Sequence, residues 1–557
     1  MAGGQPLKIL ILGGYGVFGG RLAQLLADIP ELTLLICGRD AAKAQRFSAG
    51  LVGRTQVVPV GLDRSDLAAA LDEQRPHLVV DASGPFQDYG ARQYAVIEAC
   101  IDAKVNYLDF ADAADFVFGV SRYQREAELA GVFVLSGVSS FPVLTAAVLR
   151  EMAQAMDIVE VEGGIAPSPY AGIGLNVMRA VIGYAGAPVK LMRGGKQTRA
   201  IGLAESRRTT IAVPGRLPLR NLRFSLVDVP DLQVVPPEHP TMTDIWMGAG
   251  PVPELLHRIL NLLAIARARL RLPSLVRFSG LFYFVLNLMK FGEHRGGMYV
   301  RARGVCKGLP VEQSWHLLAE GDDGPLIPSM AIEAIIRKIL AGELPASGAR
   351  PATHALDLAD YEQLFARRAI TTGFRTERRG TAHQQILGSA FEELPPQVRR
   401  LHGMATGQTW CGTADVRRGV SIAASLVARA FRFPEAGKAV PVTVSMTVDA
   451  DGEHWIRDFA GRTFESHLAS GTGRDDYLLI ERFGVVTVAL ALVVNGDRLY
   501  LLPRRWKLFG VPMPTALVPR GTSFESEENG QFCFDVSIEL PLIGLVVAYR
   551  GILKMID

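Results

Sequence analysis

The stretch Leu7-Lys8-Ile9-Leu10-Ile11-Leu12-Gly13-Gly14-Tyr15-Gly16-Val17-Phe18-Gly19 decides the fold of the N-terminal part of the chain. Leu7–Leu12 is a short apolar run that ends on glycine, the pattern of a parallel strand buried on both faces. Arg21-Leu-Ala-Gln-Leu-Leu-Ala27 then has the spacing of a helix. The series continues with strand-like runs at Leu32–Cys37, Gln56–Val60, Leu78–Asp81, Val105–Asp109 and Val132–Leu135. Helical segments near Ala41–Ala49, Ser65–Glu73, Arg92–Ala103 and Ser121–Ala130 fill the intervals. Strands alternating with helices of this length predict an α/β fold, a Rossmann-type doubly wound parallel sheet.

Gly14, Gly16 and Gly19 form Gly-x-Gly-x-x-Gly between that first strand and the first helix. In this context the first glycine permits the tight turn, the second lets a pyrophosphate approach the backbone, and the third lets helix and strand pack closely. The helix N-terminus adds free amides and a partial positive charge. The loop residues Gly14, Tyr15, Gly16, Val17, Phe18 and Gly19 are therefore candidate dinucleotide contacts.

The end of the second strand selects the nucleotide. An NAD site usually carries an acid there. This chain has Cys37-Gly38-Arg39-Asp40, and a planar guanidinium suits a ribose 2′-phosphate. Arg39, with Lys43 assisting, thus points to NADP. Asp40 could serve as the acid of an NAD site, and otherwise reads as the cap of the next helix. Asp63 faces either the adenine amino group or its own helix as a cap. Ser83, Gly84 and Pro85 follow the fourth strand at the carboxyl end of the sheet, where ligands bind in open α/β folds.

No Tyr-x-x-x-Lys proton relay and no His-Glu-x-x-His motif is present. Proton donors must then come from loops near the nicotinamide. Tyr107, Asp109 and Asp112 follow the fifth strand, and Ser139 and Ser140 the sixth. Each also has a structural reading, as a core phenol, a cap or a backbone partner. Hydride chemistry belongs to the cofactor, so positioning is the main demand on the protein.

The middle of the chain reads as an α+β substrate domain. Ile158–Ile165, Met298–Val305 and Gln313–Leu318 are strand-like, Ile173–Tyr184 and Pro328–Leu340 helical, and Leu344–Pro351 a closing loop. Leu255–Phe291 contains Arg258, Arg267, Arg269, Arg271, Arg277 and Lys290 and no acid. A basic amphipathic pair of helices there fits a membrane surface, a channel for an apolar substrate, a homodimer interface, or ordinary core with a solvated edge.

A linker is expected over Thr371–Gly388, with Arg375, Arg378 and Arg379. Beyond it the period changes to two. Val442–Val448, Glu453–Phe459, Val485–Val494, Arg498–Leu502, Phe532–Leu540 and Leu545–Leu553 read as antiparallel strands, with hairpin signals at Asp451-Gly452 and Asn495-Gly496. Such a sheet can curl into a barrel able to hold an apolar ligand. Arg457 reads either as a ligand for a carboxylate or as an outward-facing strand arginine.

The chain has 557 residues, 49% of them hydrophobic and 21% charged, with a formal net charge of +3. That is a globular, multidomain profile without a basic tail, and a nucleic-acid partner is set aside. Five scattered cysteines without a Cys-x-x-Cys pair argue against a disulfide framework or a metal site and suit a reducing compartment. The N-terminus lacks the pattern of a signal peptide, and no apolar run is long enough to span a bilayer. The expected location is cytoplasmic, with peripheral membrane contact through residues 255–291 as one of the readings of that segment.

Gly13-Gly-Tyr-Gly-Val-Phe-Gly19, Cys37-Gly-Arg39, Val79-Val-Asp-Ala-Ser-Gly-Pro-Phe86, Tyr89-Gly90, Ala99-Cys100 and Asn106-Tyr-Leu-Asp109 together resemble the saccharopine dehydrogenase-like family of NADP-binding oxidoreductases. The resemblance is good over residues 7–150 and loose over 150–350. It implies an NADP-dependent reduction or dehydrogenation and leaves the substrate open. Relatives act on amino-acid imines or serve as trans-acting enoyl reductases of lipid and polyketide pathways. Trp455–Phe459 and Trp506–Gly510 resemble an uncharacterised domain that bacteria fuse to such proteins. The expected organisation is a Rossmann domain (1–150), a substrate and dimerisation domain (151–370) and an antiparallel β domain (371–557). The expected activity is NADP-dependent oxidoreduction of a small or apolar, lipid- or polyketide-like molecule. The alternative is an NADPH-binding sensor or scaffold without turnover.

Overall fold

In the computed structural model the apolar runs of the N-terminal third form six strands: β1 (Leu7–Leu12), β2 (Leu32–Gly38), β3 (Gln56–Gly61), β4 (Leu78–Asp81), β5 (Asn106–Asp109) and β6 (Phe133–Ser136). The structure describes residues 6–556 except 173, 251–253, 289, 291, 377–378, 404–406 and 450–451, and the side chains of 88 and 91 are likewise not described. Helices α1 (Val17–Leu25), α2 (Ala41–Gly50), α3 (Leu67–Gln74), α4 (Ala95–Asp102), α5 (Ala114–Gly119), α6 (Gln124–Ala130) and α7 (Thr145–Ala153) separate or follow them. The sheet is parallel, with the order Gly348–Pro351, β6, β5, β4, β1, β2, β3. The order in which strands join the sheet reverses between β1 and β4, and that switch point opens the crevice where ligands bind in this architecture. The register sets Leu12 beside both Cys37 and Asp81, so the loops after β1, β2 and β4 converge. Ile9, Leu10 and Ile11 are fully buried, as a central strand covered on both faces requires.

The chain then builds β7 (Asp157–Ala166), α8 (Leu175–Tyr184), β8 (Pro188–Arg193), β9 (Lys196–Ile201), β10 (Ser206–Ile211), β11 (Leu219–Leu226), α9 (Asp231–Val234), β12 (Asp244–Ala249), α10 (Glu254–Leu270), α11 (Ser279–Leu288), β13 (Arg295–Cys306) and β14 (Leu309–Glu320). Strands β11, β12, β7, β13 and β14 lie in that order in a mixed sheet. Then α12 (Ile327–Leu340) returns to pack on α1. The next strand, β15 (Gly348–Pro351), is the edge of the first sheet, paired with β6. The sequence reads this stretch as a closing loop. A four-residue strand with one fully buried apolar side chain, Ala349, leaves no periodic signal. The Rossmann sheet therefore extends beyond residue 150. After α13 (Leu358–Phe365) comes β16 (Ile370–Arg375).

Two compact units result, residues 1–208 with 223–371, and residues 209–222 with 372–557. The chain passes between them within β10, β11 and β16. Residues 209–222, read from sequence as part of the middle domain, thus group with the C-terminal unit. There, Val494 donates its amide to the Gly215 carbonyl at 2.9 Å and Arg375 Nε donates to the Ala212 carbonyl at 2.5 Å. The expected linker is ordered in its described part: Ile370–Arg375 is strand, and α14 (Ala382–Leu387) begins on a Thr381–Gln384 capping box. Arg378, expected in that linker, and Asp451 of the expected turn lie outside the described residues.

The second unit continues with α15 (Pro396–Gly403), β17 (Gln408–Arg418), α16 (Ile422–Ala430), β18 (Gly437–Asp449), β19 (Gly452–Phe459), β20 (Arg462–Ser470), β21 (Leu479–Phe483), β22 (Val486–Asn495), β23 (Arg498–Leu508), β24 (Val511–Pro512), β25 (Phe524–Glu528), β26 (Gln531–Leu540) and β27 (Gly544–Ile556). The order β22, β21, β20, β19, β18, β17, β27, β26, β25, β23 is closed by pairing of β22 with β23, a ten-stranded antiparallel barrel. Its core joins aromatic side chains such as Trp410, Trp455, Phe459, Phe464 and Phe532 to Leu387, Val398 and Leu401 from α14 and α15. Side chains therefore occupy this interior, where the sequence suggested room for a ligand. Arg457 does not face outward. Its guanidinium donates to Ser466 Oγ at 2.7 Å and pairs with Glu481 at 3.2 Å, and its side chain is only 15% exposed.

Candidate active site

The loop between β1 and α1 is shaped by the lack of side chains. Gly13 has φ +73°, and a Cβ there would lie 2.7 Å from the Ala82 carbonyl oxygen. A Cβ on Gly16 would meet the Gly13 oxygen at 3.0 Å, and one on Gly19 would meet it at 2.5 Å. Glycine at these positions lets the loop fold flat against the strand ends. Helix α1 starts at Val17 on the N-cap Gly16, with no side chain capping its first amides. That is a cradle for an anionic group. The sequence reading used Gly14, Gly16 and Gly19 and passed over Gly13, whose positive φ no spacing rule announces.

The other predicted contacts surround this loop. Tyr15 lies over the end of β2, where its ring excludes any side chain at Gly38 and its hydroxyl accepts the Asp40 amide at 3.1 Å. Arg39 is exposed at the same strand end and makes no hydrogen bond or ion pair among the described residues. Asp40 caps α2 by accepting the Lys43 amide, and Lys43 Nζ stands 3.6 Å from its carboxylate. Asp63 caps the turn after β3 through Ser65. The Ser65 amide and hydroxyl foremost, with Arg39 nearby, hold its carboxyl below the usual range. Arg39, Lys43 and Asp63 thus gather beside the ends of β2 and β3, with Arg39 the cation left unpaired.

After β4 the chain is tied down by buried polar contacts. Asp81, fully buried, accepts the Ser83 amide at 2.9 Å and the Ser83 hydroxyl at 2.5 Å. Ser83 Oγ also lies 2.9 Å from the Tyr89 hydroxyl, and the Arg64 guanidinium stacks on the Tyr89 ring. The Gly84 carbonyl accepts Asn176 Nδ2 from α8 at 2.8 Å, and Pro85 leads into a short turn. Ser83 therefore spends its hydroxyl within the protein. Arg64 and Asn176 as supports of this loop were not read from sequence, since their partners Asp81 and Gly84 are 17 and 92 positions away.

The first choices for a proton donor do not meet at an open surface. Tyr107 is fully buried in the core, and burial raises its phenol far above its ordinary pKa. Asp109 is fully buried and brackets the chain, accepting the Ala111 amide at 2.9 Å and the Gly137 amide at 2.7 Å. Burial pushes its carboxyl up to about 7. Ser139 is half-buried and lies outside the residues lining the cavity described next.

A cavity of about 360 Å³ opens directly beside the glycine loop. Val17, Phe18 and Arg21 of α1 form one wall, Ser140 and Phe141 another, and β7, β13, α8, α10, α11 and the loops that carry Asp112 and Asp228 supply much of the rest. Its surface is largely apolar: Met178, Val181, Leu260, Phe282, Leu286 and Met298 are among the lining side chains. Three acidic groups enter this setting, Asp112, Asp228 and Tyr184. Asp112 accepts Gln87 Nε2 at 3.1 Å. Burial foremost, then the carboxylates of Asp115 and Asp112, push the Asp228 carboxyl up to about 6, with Lys190 pulling the other way. Burial foremost, then the carboxylates of Asp112 and Asp228, hold the Tyr184 phenol well above its usual value. Of these, Asp112 and Ser140 were weighed from sequence. Asp228 follows β11, a strand whose arginines and asparagine hide its period, so no strand end pointed to it.

Residues 9–135 match the saccharopine dehydrogenase NADP binding domain, and residues 394–553 match a domain of unknown function, DUF4166. No curated protein matches the chain. Similar solved structures include an amine dehydrogenase from Mycobacterium smegmatis, at 11% identity and TM-score 0.30 over 62% of this chain and 94% of that one. A probable dehydrogenase from Thermotoga maritima aligns at 10% identity and TM-score 0.32 over 64% and 93%. The WlbA dehydrogenase from Thermus thermophilus, solved with NAD and alpha-ketoglutarate, aligns at 12% and 0.29 over 63% and 93%. The chain thus joins a region similar to the saccharopine dehydrogenase NADP binding domain to a barrel that matches DUF4166, and it is a nicotinamide-nucleotide-dependent oxidoreductase.

Proposed function

We propose that the protein uses NADP(H) to reduce, or in reverse to dehydrogenate, an apolar molecule held in the cavity beside the glycine loop. The observation that carries this reading is the cavity itself: an apolar space of about 360 Å³ that shares Val17 and Phe18 with the loop and contains Asp112, Tyr184 and Asp228. The residues fit the cofactor. The backbone at Gly14, Gly16 and Gly19 and the uncapped amides of α1 suit the pyrophosphate. The unpaired Arg39, with Lys43, suits a 2′-phosphate. When bound there, the cofactor supplies hydride transfer, and the protein supplies binding, orientation and electrostatics.

The chain's own part is to exclude water and hold a proton. The apolar walls gain about 0.8 kcal/mol for each methylene buried. A carboxyl titrating near the working pH is suited to proton transfer. Asp228, pushed up to about 6 and set among Asp112, Asp115, Lys190 and Tyr184, is the proposed donor during reduction. Tyr184 stays protonated and can donate a hydrogen bond to a substrate oxygen or nitrogen. The test is NADPH oxidation against apolar imines, enoyl thioesters and ketones. Turnover that prefers NADPH over NADH supports the reading. Nucleotide binding without turnover across all three classes contradicts it.

A further inference from the structure

Helices α10 and α11 have two apolar faces where a soluble surface helix needs one. The inner faces line the cavity with Leu256, Leu260, Phe282, Val285 and Leu286. The inner face of α10 is also latched by buried polar bonds. His257 Nε2 lies 2.8 Å from Ser225 Oγ, and Asn261 Nδ2 donates to Ser225 Oγ at 2.9 Å and to the Leu203 carbonyl at 2.7 Å. Burial holds His257 neutral, at about 4, so this latch does not charge near neutral pH. The orientation of α10 is thereby fixed, and its other face turns out.

That outer face is apolar as well. Leu255 is 65% exposed and Leu262 67%; on α11 Leu281 is 61%, Phe284 64% and Leu288 71%. On α10, Leu255, Ile259 and Leu262 recur at helical spacing, and on α11 Leu281, Phe284 and Leu288 do the same. Leu272 and Phe278 extend the exposed apolar surface through the connecting segment. Exposed apolar side chains in this number on adjoining elements mark an interaction surface. Its charge names the partner. Arg269, Arg271, Arg277 and Lys290 are exposed along it, and residues 255–290 contain no acid. Arg267 is not counted, because it donates to the Gly183 and Ala185 carbonyls. Basic side chains beside an apolar, aromatic-bearing helical face suit the headgroup and acyl boundary of an anionic bilayer. Among the described residues no helix is long and apolar enough to cross one.

We propose that α10 and α11 dock on an anionic membrane surface, outer faces in the bilayer interface and inner faces on the cavity. An apolar substrate then reaches the cavity from the lipid past these two helices without crossing water. This second step rests on the cavity being the substrate site; the docking does not.

The test is sedimentation of the full chain with vesicles of phosphatidylcholine alone and of phosphatidylcholine mixed with phosphatidylglycerol. The protein is expected to pellet with the mixed vesicles, far less with the neutral ones, and progressively less as salt rises. Leu262→Glu combined with Phe284→Glu is expected to stay in the supernatant while keeping its Tm and NADPH affinity, since neither side chain lines the cavity. Arg269→Glu with Arg271→Glu should lower vesicle affinity at least tenfold. Failure of the unaltered chain to pellet with mixed vesicles overturns the proposal. So does a dimer in sedimentation equilibrium that the Leu262→Glu, Phe284→Glu variant breaks, because a second copy would then cover the face. The readout involves no turnover. A protein that pellets but oxidises no NADPH refutes the proposed reaction and keeps the docking, and a protein that turns over but never pellets does the reverse.

Discussion

At the scale of single residues, Arg39, Gly19 and Asp228 carry separable expectations. Arg39→Ala removes a charge-assisted contact worth about 1.5–3 kcal/mol, so NADPH affinity should fall roughly ten- to a hundredfold while NADH affinity hardly changes. Nucleotide titration followed by fluorescence checks this, and equal losses for both would show that Arg39 does not read the 2′-phosphate. Gly19→Ala places a Cβ 2.5 Å from the Gly13 oxygen. The loop must shift, and NADPH affinity should drop at least tenfold with a stability loss of about 1–3 kcal/mol. Asp228 is neutral below about 6 and charged above. As a proton donor it should give a reduction rate whose kcat/KM falls as pH rises through about 6, a limb that Asp228→Asn should abolish along with most of the rate. These residues differ in legibility. Gly19 and Arg39 sit at fixed offsets from a strand end, so local spacing exposes them. Tyr107 and Asp109 share that offset logic, yet burial withdraws them, because spacing reports position along the chain and not solvent access.

At the scale of elements, β1, α1 and β2 were readable because strong apolar runs alternate with a glycine turn. The ten-residue β7 and the fourteen-residue α12 were readable for their length. Strands β8 to β12 and β15 were not: they are four to eight residues long, and their arginines, threonines and glycines break the alternation. The basic helices α10 and α11 were seen, but which face is buried depends on Ser225 and Leu203, remote in sequence. The four-residue α9 was missed, and it carries fully buried Asp231, which burial pushes up to about 7. An unfolded Asp titrates near 3.9, so between about 4 and 7 the folded state binds more protons and this group's stability contribution falls as pH rises. Asp231→Asn should therefore raise stability more at pH 8 than at pH 5, by on the order of 1–3 kcal/mol. Urea unfolding at the two pH values checks this, and an equal effect at both would rule out the titration.

At the scale of the whole molecule, the change from alternating strand and helix to period two marks the barrel, and it is visible because it extends over some 150 residues. What period cannot show is that residues 209–222 belong with the barrel unit, since that grouping rests on contacts such as Gly215 with Val494. A chain ended after Thr371 should therefore be poorly soluble. The same chain with residues 212–218 replaced by a two-residue Asn-Gly turn should be monomeric and bind NADPH like the full protein. Size-exclusion chromatography with NADPH titration separates the two outcomes. The central claim, an NADP-dependent oxidoreductase with an apolar substrate site, is tested most directly by kcat/KM for NADPH oxidation over a homologous series of unbranched substrates sharing one reducible group. The account predicts a rise of about fourfold per added methylene until the cavity is filled, from about 0.8 kcal/mol each. A profile flat in chain length, or one favouring the shortest and most polar members, would contradict it.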